Sequence, residues 1–302
     1  MAEIKKKKHR RKYGFADKTF YFLDWTLLIL FLIALVYPLL YVVISSFNGE
    51  SRMLPLSLIP NKVTLEGYKA VFGYQWIWSG YINSILYMVV GTVISVVVTA
   101  CAAYPLSRPD FRFGKVMTGL CIFTMYFSGG MIPTYLNLRD LGVLNSIWAI
   151  VLPGAMNVYN MIVMRTYFKN SIPGELREAA TIDGCDEFRY VWKVVLPLSV
   201  PILAVIALFV AVSQWNSYFG PMLYLNDRDK YPLAMILREI LVQNTLDFSS
   251  GVVNPDTLAA SQQRRETMKY AVIMVSTIPM LVIYPFVQKH FVKGMMIGSV
   301  KE

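Results

Sequence analysis

Residues 26–46 read TLLILFLIALVYPLLYVVISS, an uncharged run between Trp25 and Phe47. At about 1.5 Å per residue, a helix over this run and its flanks is roughly 35 Å long, enough to cross a hydrocarbon core about 30 Å thick. A secretory leader has an apolar region of only about 7–15 residues followed by a small-residue cleavage site. Neither feature is seen, so the run is read as a retained membrane anchor.

Upstream of it the chain is basic. Residues 1–18 hold eight lysines and arginines against Glu3 and Asp17, which accounts for six of the net +10 charges of the 302-residue chain. Hydrophobic residues make up 56% and charged residues 16% of the chain, and mean hydropathy is +0.47. Soluble domains hold about 45–50% apolar residues even with glycine counted, which argues against a soluble enzyme. Cys101, Cys121 and Cys185 have no CxxC spacing, and the histidines are His9 and His290. No zinc site or disulfide framework is indicated.

Apolar stretches of spanning length recur at 82–106, 116–137, 146–168, 196–225 and 270–288, giving six with the first. The expected fold is all-α and polytopic. A basic tail at 1–24 precedes a six-helix transmembrane domain at 25–291, with a polar loop at 169–195 between spans four and five and a tail at 292–302. Lys and Arg flanking spans favour the cytoplasm. With the N-terminus inside, nineteen basic residues fall inside and ten outside. Both termini are therefore expected to be cytoplasmic, and the tail is topological rather than nucleic-acid-binding. Pro38, Gly91, Ser95, Pro105, Gly129, Gly130, Pro133, Pro153 and Gly154 fall within spans, where such residues kink helices or allow close packing. Arg165 is expected to snorkel to the interface.

Between spans four and five, residues 171–201 read SIPGELREAATIDGCDEFRYVWKVVLPLSVP. Pro173 suits a helix start, Glu175 and Glu178 suit its positive end, and Gly184 suits a left-handed stop. Asp186 then caps a second helix whose Phe188, Val191, Trp192 and Val195 form one apolar stripe. Leu196 and Pro197 turn the chain into span five. A helix, a glycine turn and a helix can dock in a groove of another protein; an amphipathic helix lying on the bilayer is the other reading.

Glu178-Ala179-Ala180, then Gly184, then Val194-Val195-Leu196-Pro197 resemble the EAA motif of permease subunits in bacterial ATP-binding cassette (ABC) importers, with Val194 where isoleucine is frequent. Asn83-Ser84, the run from Ala102 to Arg108, Ile132 to Tyr135, Leu141 to Ser146, Trp215-Asn216 and the ending from Lys293 to Lys301 extend the likeness. They are similar to the carbohydrate-uptake branch, and within it to the second permease subunit of the maltose importer. Phe219 to Tyr224 and Leu237 to Leu241 are similar to permeases grouped with lipo-oligosaccharide or polysaccharide transport.

The resemblance implies a type I ABC importer permease fold in the bacterial cytoplasmic membrane. It also implies a second permease subunit, two cytoplasmic ATPases that hold ATP and Mg, and an extracytoplasmic sugar-binding protein. Glu178 would pair with a basic group of the ATPase, Ala179 and Ala180 would permit close approach, and Gly184 would set the turn. Asp183, Leu196 and Pro197 complete the coupling set, and residues 298–302 reach toward the ATPase pair. No GxxxxGK[ST] loop occurs in this chain, so ATP hydrolysis is expected of a separate subunit, and no catalytic residue or cofactor of this one.

Uncharged polar and aromatic groups within spans are pathway candidates, since they bind sugars at lower membrane cost than charges. These are Asn83, Tyr87, Tyr126, Gln214, Trp215, Asn216 and Tyr218; interhelical hydrogen bonding is the competing role. Loops 48–81 and 226–269 are the expected docking surface for the binding protein, or plain solvated loops. A permease of the same architecture for a polyamine or a phosphorus compound is the alternative reading. A membrane enzyme or secondary transporter fits least, because the sole acid placed within or beside a span is Asp24 at its edge.

Overall fold

The computed structural model describes residues 14–49, 60, 62–246, 268–282 and 284–285. Most of the basic tail, the middle of the 48–81 loop, much of the 226–269 loop and the C-terminal tail lie outside the described residues. No strand occurs among the described residues, although one isolated antiparallel bridge joins Asn48 and Val63. The chain forms two compact units, residues 1–67 with 254–271 and residues 68–253 with 272–302.

In the first unit, α1 (Phe15–Ser45) contains the opening apolar run with Pro38 inside it. Phe22, Trp25, Leu30, Phe31 and Leu39 are all exposed along it. A helix apolar on every side is stable in lipid rather than in water. Beyond it Gly49 N donates to Lys62 O (2.6 Å) and Thr64 N to Phe47 O (2.8 Å). The short α2 (Glu66–Phe72) follows, where the chain leaves this unit.

The second unit is organised on α3 (Gln75–Ser107), which begins well before the expected span at 82. Its buried positions are Ile77, Gly80, Ser84, Tyr87, Gly91, Ser95, Thr99, Ala103 and Leu106, a mostly small-residue stripe at steps of three and four. Small residues at that spacing let helix backbones approach closely where lipid supplies no hydrophobic drive between helices. Following α3 come α4 (Gly114–Tyr126), α5 (Met131–Asp140), α6 (Ile147–Val151) and α7 (Val158–Ser171). The polar segment then forms α8 (Gly174–Ile182), α9 (Glu187–Tyr190) and, after a π-helical turn, the short α10 (Leu196–Leu198). Last come α11 (Val200–Trp215), α12 (Phe219–Tyr224), α13 (Leu233–Leu246) and α14 (Met268–Val282). Against α3 pack α6, α7, α11 and α13. Met161, Met164, Phe168, Tyr190, Val195 and Ile206 gather around Ala103 as the core.

Three expected spans are broken. The stretch 116–137 becomes α4 and α5, bent by 111°. Gly130 at φ 86 leaves the helical region, and Pro133 lacks the amide needed to continue the ladder. The stretch 146–168 splits into α6 and α7 around Pro153 and Gly154. The fifth stretch bends by 78° between Glu187–Leu198 and α11. That bend falls at Ser199 rather than at Leu196-Pro197, because Pro201 has no amide to offer the carbonyl of Pro197. Pro197 itself sits in the first turn of α10, where proline is tolerated.

By length and composition α1 and α3 can each cross a membrane, and counting each bent pair as one span raises the number to as many as four among the described residues. Of the sixth expected stretch, 270–288, the described part is helical, as α14 and residues 284–285, and its remaining residues lie outside the described ones. The loop expected at 226–269 contains α13, and the one expected at 48–81 contains α2 and the first turns of α3.

Candidate functional site

The segment after α7 folds as helix, glycine turn and helix. Pro173 is the N-cap of α8, with Glu175 in the first turn. At the other end Cys185 N donates to Ala180 O (2.8 Å) and Gly184 N to Thr181 O (3.1 Å), the paired bonds of a Schellman stop. Gly184 supplies the left-handed backbone this stop demands, at φ 70. Asp186 Oδ1 accepts from Arg189 N (3.3 Å) and caps α9.

Residues 191–195 continue α9 as a π-helical turn. The expected apolar stripe divides between core and surface: Val195 is fully buried and Val191 partly so, whereas Phe188 is 79% and Trp192 66% exposed. Together with exposed Ile182 they leave large apolar side chains projecting from the element. The two alanines divide likewise. Ala180 packs against the core while Ala179, Glu178 and Asp183 are exposed; Leu196 is half-buried and Pro197 exposed.

A closed ring of charges, which no local motif announces, holds this element to the end of α3. Arg108 grips Asp110 with Nε (3.1 Å) and Nη2 (3.0 Å) and donates Nη1 to Glu187 (3.0 Å). Arg177, on α8, spans the same two acids at 3.2 and 3.3 Å. Tyr104 donates to Glu187 and accepts from Arg108 (3.1 Å). Tyr104, Arg108, Asp110 and Arg177 border a groove of about 1000 Å³ that Arg165, Lys169 and Glu178 also line. Arg165 donates Nε to Leu106 O (2.7 Å), closing the end of α3. Arg108, Asp110, Arg177 and Glu187 are visible in the sequence as charges in polar segments, but nothing in their spacing pairs Arg108 with a residue 79 positions away.

Of the pathway candidates, Asn83 donates to Asp229 O (2.6 Å) and Tyr231 O (3.1 Å), and buried Tyr87 to Lys230 O (2.7 Å). Both tie α3 to the loop before α13. Gln214 lies against two glycines: a Cβ on Gly91 would meet its Nε2 at 3.0 Å, and one on Gly154 at 3.6 Å. Tyr126 is exposed on α4 and joins none of the others. Trp215, Asn216 and Tyr218 meet at one cavity of about 600 Å³, with Arg238, Ser276 and Tyr284. Trp215 is buried there and donates Nε1 to Ser276 O (3.2 Å).

A second polar cluster joins the α5–α6 turn to the loop after α12. Asn145 (φ 57) accepts on Oδ1 from Asn226 N and Asp227 N, both at 3.1 Å, and donates to Asp227 Oδ2 (2.7 Å). Lys230 donates to the same Asp227 oxygen (2.7 Å) and to Asn145 O (3.0 Å). The hydrogen bonds from Lys230 and Asn145 hold the Asp227 carboxyl below its ordinary range.

This bent bundle, with its capped helix pair beyond α7, matches a known family over nearly its full length. Residues 8–297 match the binding-protein-dependent transport system inner membrane component. The chain belongs to that family. It is 42% identical to Protein LplC of Bacillus subtilis (strain 168) over 268 residues, covering 88% of this chain and 89% of that one. The polygalacturonan/rhamnogalacturonan transport system permease protein YtcP of the same organism is 40% identical over 289 residues, covering 94% and 99%. Among solved structures, a bacterial ABC transporter involved in the import of the acidic polysaccharide alginate has a TM-score of 0.82 at 35% identity, covering 93% of this chain and 99% of that chain.

Proposed function

We propose that this family member is the transmembrane permease subunit of an ATP-driven importer of a carbohydrate, an oligosaccharide. In this reading six spans cross the bacterial inner membrane with both termini cytoplasmic. A second permease shares the translocation pathway, two ATPases bind ATP and Mg, and an extracytoplasmic binding protein delivers the sugar. The capped pair α8–α9 is the coupling element, with Glu178 offered to a basic group of the ATPase and Ala179 allowing close approach.

The observation that carries the reading is the helix–Gly184–helix unit itself. Its exposed side chains include Glu178, Asp183, Ile182 and Phe188, while the ring of Arg108, Asp110, Arg177 and Glu187 ties it to α3. An element anchored to a long helix and exposed beyond it passes movement of a bound ATPase to the spans. The sugar polymers named for the relatives and the lack of acids along α11 support a carbohydrate over the polyamine alternative.

The test is uptake by the whole complex in vesicles. Gly184→Pro and Glu178→Lys are expected to leave membrane insertion intact and abolish sugar uptake. Normal uptake by either variant removes the coupling assignment, and ATPase stimulation by a polyamine but no sugar removes the substrate class.

A further inference from the structure

The cavity between α11, α13 and α14 carries one unbalanced charge among its described lining residues. Among the described residues that line it, Arg238 is the one ionised group, and none is a carboxylate. The guanidinium lies 5.0 Å over the ring of Tyr218 and donates Nη1 to Met222 Sδ (2.7 Å). It forms no ion pair with any carboxylate among the described residues. The neighbouring Glu239 is directed elsewhere, accepting from Arg228 Nη2 at 2.9 Å, and Asp227 is held by Lys230. An aromatic face and a thioether orient an arginine but do not neutralise it, so its planar fork remains suited to a carboxylate.

The remaining walls suit a sugar. Ser276 and Thr277 spend their hydroxyl protons on Ile273 O (both 2.8 Å), and Asn216 spends an amide proton on Val212 O (2.8 Å). Each therefore keeps oxygen lone pairs for incoming hydroxyl donors. Tyr218 and Tyr284 bring aromatic surface, which packs against sugar C–H faces. A space of about 600 Å³ is far larger than a small anion requires and lies within the ~300–1,000 Å³ range of ligand cavities. Among the described lining residues a polycation would meet one repelling charge and no acid.

We propose that this cavity binds a carboxylate-bearing sugar, a uronate unit of the transported oligosaccharide, with Arg238 pairing the acid group and Asn216, Ser276 and Thr277 receiving hydroxyls. The proposal rests on the permease reading and names the substrate chemistry that this subunit recognises.

The experiment uses the assembled complex in lipid nanodiscs, with galacturonate trisaccharide and its carboxyl-reduced galactose counterpart as probes. The wild type is expected to bind the acidic probe about tenfold or more tightly than the neutral one, as a charge-assisted pair predicts. Arg238→Gln is expected to abolish that preference in a complex that still assembles, and Arg238→Lys to retain part of it. A preference that survives Arg238→Gln overturns the proposal. So does a complex that transports neutral sugar but binds no acidic probe, which leaves the permease reading standing. A complex whose ATPase answers to a polyamine and to no sugar overturns the carbohydrate reading beneath it.

Discussion

Arg108 Nη1 lies 3.0 Å from Glu187 Oε1, joining the residue that caps the end of α3 to the first residue of α9. One contact thus links the longest described helix of the second unit to the element proposed to meet the ATPase. The Arg108 side chain is only 13% exposed, against 50% for Glu187. Exposed ion pairs contribute about 0.2–1 kcal/mol, and burial of the Arg108 head group raises the cost of breaking this one rather than its net worth.

Arg108→Gln is accordingly expected to cost about 1 kcal/mol, since it removes a mostly buried donor from two half-exposed acids that Arg177 still serves. Arg177→Gln, at 37% exposed, is expected to cost less. In reconstituted complexes Arg108→Gln should lower sugar moved per ATP hydrolysed while basal hydrolysis persists. An unchanged ratio of transport to hydrolysis would show that the ring does not transmit movement.

A Cβ added to Gly184 would meet no heavy atom within 4 Å, and its φ is 70°, so the penalty for replacing it is conformational rather than steric. Alanine there is expected to cost about 1–2 kcal/mol, and asparagine less, because it tolerates the left-handed region. Uptake should fall in the order glycine, asparagine, alanine, valine. Equal uptake for Gly184→Asn and Gly184→Val would mean that the turn is not needed in this form.

At Gly80, α3 meets α13. A Cβ would stand 2.6 Å from Ile236 Cδ1 and 3.1 Å from the Leu233 Cα, and the latter backbone cannot move aside as a side chain can. Gly80→Ala is expected to destabilise the packed pair by about 1–3 kcal/mol. Gly119→Ala, where a Cβ meets nothing within 4 Å, is the control and should be neutral or stabilising. Thermal unfolding of the detergent-solubilised complex reads both, and equal melting temperatures would remove the close approach.

The depressed carboxyl of Asp227 gives a pH dependence with a defined sign. Its ionised form is favoured in the folded state by hydrogen bonds from Lys230 and Asn145. Its stabilisation is therefore present above the ordinary aspartate value of 3.8 and is lost as pH falls through the lower folded value. Asp227→Asn should flatten the acid loss of hydrogen-exchange protection in the α5–α6 turn below that pH. An identical acid profile for wild type and variant would exclude Asp227 as its source.

Much of the fold is legible in the sequence because its causes are local. Uncharged length makes α1, the small-residue period makes the buried stripe of α3, and Pro173, Gly184 and Asp186 punctuate α8 and α9 through caps that each involve neighbouring residues. The breaks inside spans are legible only as residues. Gly130, Pro133 and Pro201 stand in plain view, yet a hydropathy count sees uniform apolarity where the chain bends by 111° and 78°. The apolar stripe on the second helix is legible as a period, but its division is not: only the packing decides that Val191 and Val195 turn to the core while Phe188 and Trp192 stay exposed.

The candidate site divides the same way. Amino-acid order alone dictates a membrane chain, a basic tail and a helix–glycine–helix unit, because each follows from composition or from contacts a few residues long. Tertiary structure decides that Asn83 and Tyr87 tether a loop, that Trp215, Asn216 and Tyr218 meet Arg238 at one cavity, and that Arg108 closes a ring with Glu187. Those pairings join residues far apart in the chain, and only the packing of α3 against α7, α11 and α13 brings them within reach of one another.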